Sequence, residues 1–424
     1  MKFIYQDLLK FVTEQPSREE LSKKLFQLGH EHEIEGDIFN MEITPNRGDC
    51  LSLIGLSRDL NNFYNSKDPY NLYDKDIEIL DLNFTNLSVD ECPKISFLEI
   101  EIDKEISSYK PYLEDYFLKL GNKKTNFFTD ISNYISYERG QPTHCFDRKT
   151  IGNELTFHNR VCREKFTTLL GKEIKLEGKN CVFTSSEEII SLAGIMGGES
   201  TSCSENTREV LVECAFFNPE AIIGKSIKYN LKSDAAHKFE RGVDIASQEK
   251  VLRRFITVVK EHASIKSLKM KTFTDREFEE NYLPLEVEKV NKILGISLSK
   301  EKYISYLERL GFEINDEIEH GDFTYNIGLL VSRDTFYGQG LRKNSSNVSG
   351  YELAPGEKYE MYKTDWKDMI QPRLGVTWEY EESATVFANY ASYNPNASSL
   401  ARAASWDRNT RRTLLVRFDE NGDF

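Results

Sequence analysis

Glu213 is the side chain that most needs a chemical explanation. In EVLVECAFF it lies between apolar neighbours, where an unpaired carboxylate is costly to bury. The position predicts a partner: an arginine, a backbone amide or a ligand. Just upstream, AGIMGGES supplies Gly194, Gly197 and Gly198, which permit positive φ and close backbone approach to a ligand. A tight hairpin would use the same glycines. His144 in GQPTHCFD and His237 in SDAAHKFERG are candidates for acid/base work, although a lone histidine is more commonly a hydrogen-bonded structural residue. Lys225, Lys228, Lys232, Lys238 and Arg241 follow one another closely, as either a phosphate footprint or a solvated face. His30 and His32 alternate with acids in GHEHEIEG; with no third ligand in place they read as exposed, and no metal site is expected.

These groups must be held by elements that composition already bounds. A chain of 424 residues predicts two or three domains. Its 39% hydrophobic and 12% aromatic content excludes wholesale disorder. The net charge of -14 repels polyanions overall, so any RNA contact must come from a local basic patch. Seven cysteines at irregular spacing, with no C-x-x-C pair, read as free thiols of a reducing cytosol. The opening MKFIYQDLLKFVTEQ lacks the apolar run of a signal peptide, and no apolar stretch reaches membrane-spanning length.

Ser17 and Glu20 form a capping-box pair ahead of Leu21, Leu25 and Leu28, which predicts a helix over 17–28 stopped by Gly29. The turn PNRGD leads into a second helix carrying Leu53, Leu56 and Leu60. From about 94 to 214, runs such as ISFLEIEI, CVFT and EVLVECAFF predict a mixed sheet. Helical spacing returns with Val251, Leu252, Phe255, Val258 and Val259, and again in SKEKYISYLERLGFEI before Gly311. Beyond about 316 the composition changes. All three tryptophans lie there and no cysteine does. IQPRLGVTWEYE and TLLVRFDENGDF alternate as strands with one apolar face, which suits a transmembrane barrel or a soluble sandwich.

The strings MEITPNRGDCLSLIGLSRDL, ISNYISYERGQPTHCFD, AGIMGGES, VLVECAFFNPEAI and SDAAHKFERGVD occur in this order. They resemble the beta subunit of bacterial phenylalanine–tRNA ligases over about residues 1–315. The resemblance implies a tRNA-editing domain that hydrolyses tyrosine wrongly esterified to phenylalanine tRNA. It implies that Glu213 reads the tyrosine hydroxyl and that His144 lies near the scissile ester. Gly197, Ser233 and Ala235 would shape the aromatic pocket, and Lys123 would stand in its approach where the family commonly has arginine. A site that buries a partner for a hydroxyl rejects the ring lacking one. Lys225, Lys228 and Lys232 are the candidate tRNA-phosphate contacts.

The sequence departs from that family in several places. Ser233 replaces a frequent threonine, the oligonucleotide-fold insertion is missing, and the later catalytic-like and anticodon-binding modules are absent. From about Asn315, NIGLLVSRDTFYGQGLRKN and SGYELAPGEKYE resemble strands of a TonB-dependent outer-membrane receptor, which suggests a chimeric chain. The expected fold class is α+β multidomain. It comprises an N-terminal α/β segment (1–85), a mixed-sheet editing domain (86–272), a partial small helical domain (273–315) and a β-rich foreign tail (316–424). No cofactor is expected in this chain; ATP and Mg2+ would serve the complete ligase. The implied partners are an alpha subunit, in a heterotetramer, and tRNA, with no membrane for 1–315 and a cytoplasmic location. Rival readings are a non-enzymatic RNA-binding or trans-editing adaptor, and a receptor fragment.

Overall fold

Ser17 caps the first long helix as its sequence predicts: its hydroxyl accepts from the Glu20 amide while the Glu20 carboxylate accepts from the Ser17 amide. The computed structural model describes residues 1–231, 233–276 and 283–314, and further along the backbone of strands lying between 316 and 391. The chain opens with β1 (Lys2–Ile4), α1 (Tyr5–Leu9) and α2 (Arg18–Gln27), then β2 (Glu31–Glu35), β3 (Ile38–Glu42) and α3 (Leu53–Leu60). Strands β4 (Glu78–Ile79), β5 (Asn83–Asn86) and β6 (Lys94–Ile102) lead to α4 (Pro111–Leu120), α5 (Phe127–Arg139) and β7 (His144–Asp147). A β-rich stretch follows: β8 (Glu154–Cys162), β9 (Lys165–Thr167), β10 (Glu173–Lys175), β11 (Gly178–Ser185), β12 (Glu188–Leu192), β13 (Met196–Gly197) and β14 (Glu209–Phe216). Short helices α6 (Pro219–Ile222), α7 (Lys225–Lys228) and α8 (Asp234–Phe239) precede α9 (Gln248–His262), β15 (Ile265–Thr274), α10 (Val287–Leu294) and α11 (Lys300–Arg309).

Two five-stranded sheets organise the body, one ordered β4-β15-β6-β14-β7 and the other β13-β12-β11-β8-β5. Alternation along β6 and β14 splits their side chains between two cores. Leu98, Ile100, Val210, Val212 and Cys214 face a helical layer. Ile95, Phe97, Leu211 and Ala215 face the second sheet. The helical layer joins residues distant in sequence, because Phe3, Phe39 and Leu56 share one core with Ile131 of α5 and Phe255 of α9. The expected apolar stripe on α9, Val251 to Val259, is buried throughout. Residues 1–311 form one compact unit.

The helical layer also buries charge. Glu138 of α5 is 0% exposed and Arg254 of α9 is 1% exposed. Arg254 donates from Nε and Nη2 to the two oxygens of Glu138, at 2.8 and 3.0 Å, with its guanidinium carbon 3.8 Å above the centre of the Tyr70 ring. The reading of His30 as exposed is corrected here. It is 3% exposed and donates from Nε2 to Asp59 at 2.9 Å, whereas His32 bonds Ser22 and lies against Phe39. All seven cysteines are buried and unpaired.

From residue 312 onward a second unit begins. Its described strands are β16 (Asp316–His320), β17 (Phe323–Val331), β18 (Thr335–Lys343), β19 (Tyr351–Lys363), β20 (Ile370–Glu381) and β21 (Ala384–Ala391). They form antiparallel sheets ordered β16-β17-β20-β21 and β18-β19, and IQPRLGVTWEYE is the strand its alternation predicts. TLLVRFDENGDF lies outside the described residues. Among the described residues, no helix is long and apolar enough to cross a membrane.

Candidate functional site

Register brings the two foremost candidates together. Glu213 on β14 pairs with Phe97 of β6 on one side and with His144 of β7 on the other. Residues directly opposite in antiparallel strands present their side chains on one face, so Phe97, Glu213 and His144 form a row facing the second sheet. Strand β7 is the edge of the first sheet and β13, carrying Gly197, is the edge of the second. The site therefore lies where the two sheet edges meet.

Gly197 is dictated by space rather than by torsion. A Cβ there would stand 2.3 Å from Cε1 and 2.7 Å from Nε2 of His144, and 3.0 Å from Leu169. Gly198 likewise has an ordinary φ of -87, but a Cβ would meet the Ile190 carbonyl oxygen at 2.6 Å. Of the three glycines, Gly194 alone takes positive φ. Leu169, in the turn after β9, donates its amide to the Gly197 carbonyl at 2.9 Å, which holds its side chain beside Gly197. Spacing in the sequence marks neither Phe97, which strand register sets opposite Glu213, nor Leu169, which a turn hydrogen bond sets beside Gly197. Gly197→Ala is expected to overpack this contact, at about 1–3 kcal/mol, read as a lower melting temperature with a shifted His144 ring resonance.

Burial sets the charge of the pair. It lowers the His144 pKa to about 4 and raises that of Glu213 to about 8. An ion pair would shift both groups the other way. Near pH 7 the site thus holds a neutral imidazole and a protonated carboxyl. His144 Nε2 is buried with no hydrogen-bond partner among the described residues, and its ring stands edge-on to Phe146 at 4.4 Å. The partner expected for Glu213 is not found among the described residues: burial neutralises it instead. A protonated carboxyl can both donate to and accept from a hydroxyl.

The other expected residues are spread over neighbouring elements. Ser233 caps α8 by accepting from the Ala236 amide, and Ala235 packs against the inter-sheet core. Lys123 lines a cavity of about 460 Å³ with Asn133 and Tyr137 of α5 and His237 of α8. Lys225 and Lys228 donate to the carbonyls of Lys179 and Glu177, so both ammonium groups already have acceptors. Lys232 lies outside the described residues. His30, Cys50 and Asp59 bring possible metal-ligand atoms within 4.8 Å of one another. Arg47 Nη2, however, sits 2.7 Å from Asp59 and 2.9 Å from Cys50, so a guanidinium supplies the positive charge there. Burial works against it, yet hydrogen bonds from His30 and Arg47 hold Asp59 down at about 2.

The sandwich and its edge site coincide with a described domain: residues 92–264 match the B3/4 domain. The chain is homologous to phenylalanine–tRNA ligase beta subunits. It is 28% identical over 362 residues to that of Psychrobacter arcticus, covering 83% of this chain and 43% of the relative. It is 27% identical over 328 residues to that of Staphylococcus epidermidis, covering 76% and 40%. The chain thus spans less than half the length of these curated relatives. An N-terminal fragment of the phenylalanyl-tRNA synthetase beta subunit from Pyrococcus horikoshii superposes with a TM-score of 0.37 at 13% identity, over 76% of this chain and 91% of that one.

Proposed function

We propose that this chain carries the editing site of a cytoplasmic phenylalanine–tRNA ligase beta subunit and hydrolyses tyrosine esterified to phenylalanine tRNA. Aminoacylation, with its ATP and Mg2+, belongs in this reading to an alpha-subunit partner. The observation that carries it is the Glu213 carboxyl, kept neutral by burial, directly across the strand pair from a buried His144 Nε2 that has no partner among the described residues. A phenol entering between the sheet edges gives the carboxyl a hydrogen-bond partner, whereas a phenyl ring leaves it unpaired. The imidazole, uncharged at neutral pH, can hold water or the terminal ribose at the ester. Gly197, Ser233 and Ala235 leave room for the ring, and Lys123 guides the acceptor end. Lys225, Lys228 and Lys232 reach tRNA phosphates, the first two by exchanging backbone carbonyls for phosphate oxygens.

Glu213→Ala is expected to reduce the preference for the tyrosyl over the phenylalanyl ester at least tenfold in single-turnover hydrolysis. Equal rates on both esters in the unmutated protein would defeat the reading.

For residues 316–424 the proposal is receptor-like strands in a chimeric chain, supported by the antiparallel order β16-β17-β20-β21. The Psychrobacter match covers 83% of the chain and so runs past residue 315, which counts against a junction placed there.

A further inference from the structure

Two loops prominent in the sequence, TPNRGD and FERGVD, meet in the fold. A Cβ at Gly48 would stand 2.7 Å from the Arg241 carbonyl oxygen and 2.8 Å from its Cβ. Beside this contact opens a cleft of about 740 Å³, whose lining includes Arg58, Lys67, Arg139, Arg241 and Lys250 together with Asp49, Asp68 and Asp244. Pairing leaves it positive. Asp49 is held by Arg47 and Arg58, and Asp68 by both terminal nitrogens of Arg139. Lys67, Lys250 and Arg241 have no acidic partner among the described residues, against one unpaired acid, Asp244, which accepts from the Ala246 amide. Arg241 donates from Nη1 to the ring and carbonyl of His237, while its Nε is buried without an acceptor among the described residues. In a chain of net charge -14, an excess of unpaired cations around a buried orphan donor is a local exception that needs an anion.

We propose that this cleft binds adjacent phosphate groups, with Arg241 at the loop contact and Lys67 and Lys250 as the exposed cations. The phosphates can come from an RNA backbone or from a free polyphosphate, and the two sources separate experimentally. Binding of a single-stranded RNA 12-mer carrying no amino acid, and of tripolyphosphate, is measured by titration calorimetry on the full chain at several salt concentrations. Lys67→Glu with Lys250→Glu is expected to weaken RNA binding at least tenfold. The salt slope should flatten by about 0.7 for each phosphate that the variant no longer neutralises. Asp244→Asn, which removes the unpaired acid, is expected to tighten binding and serves if the double variant fails to fold. Loss of RNA binding alone assigns the site to a backbone, and loss of tripolyphosphate binding alone assigns it to a free anion; either supports the site. Unchanged affinities and salt slopes for both ligands in the folded variants would overturn it. No ester is cleaved in this assay, so its outcome is independent of the editing reading.

Discussion

Replacing Glu138 by alanine is expected to cost the fold about 3–5 kcal/mol, read as a lower urea midpoint for the unit spanning 1–311. The glutamate and Arg254 are essentially without solvent exposure and share two hydrogen bonds between α5 and α9. Removing the carboxylate leaves the Arg254 guanidinium with only Glu261 for a counter-charge among the described residues, at 3.8 Å, and takes one acceptor from Arg139, which keeps Asp68. Most of the cost is that uncompensated charge rather than the worth of the pair. Glu138→Leu combined with Arg254→Met should therefore recover much of the loss, the coupling measurable by a double-mutant cycle. A loss below about 1 kcal/mol for Glu138→Ala, within the usual range for surface pairs, would show that the guanidinium finds water or another acid.

Glu213→Gln should make the protein more stable, and increasingly so as pH rises. In the fold Glu213 titrates near 8 against an ordinary 4.5. Between those values the folded chain keeps a proton that the unfolded chain has released, so stability falls with rising pH and levels off above 8. His144, lowered from 6.5 to about 4, acts in the opposite sense: its contribution is present above 6.5 and is lost as pH falls toward 4. The two slopes oppose each other between 4.5 and 6.5, and above that Glu213 acts alone. Glutamine removes the acid's slope, so the variant should gain about 3–4 kcal/mol on the unmutated protein between pH 5 and pH 8. Urea unfolding at those two values is the measurement. A difference that does not change with pH would mean that Glu213 carries the same charge folded and unfolded.

Local signals were legible in the sequence where the physics is local. The Ser17 capping box, the stripe on α9 and the strand EVLVECAFF needed only side-chain type and period, and a carboxylate amid apolar neighbours marked Glu213 as exceptional. What stayed hidden depends on contacts between distant residues. His30 reads as a solvated histidine because Asp59 is 29 residues away. Gly197 reads as a turn residue, although the imidazole of His144 is what forbids it a side chain. Lys225 and Lys228 look free until the carbonyls near Gly178 come under them. Glu138 and Arg254 each sit in a helix with nothing nearby in sequence to betray burial, because a partner 116 positions away leaves no mark on either segment.

The joining of Phe3, Phe39 and Leu56 to Phe255 in one core bears on how the chain is made. Translation delivers the first segment some two hundred residues before the helix that seals it. Until α9 leaves the ribosome, β1, β3 and α3 lack part of the surface they bury, and β6 still awaits β14 and β15. Ordering by long-range contacts makes folding slow and leaves apolar surface open meanwhile. The nascent amino-terminal segment should therefore expose apolar surface until the carboxyl-terminal side of the sheet has been synthesised.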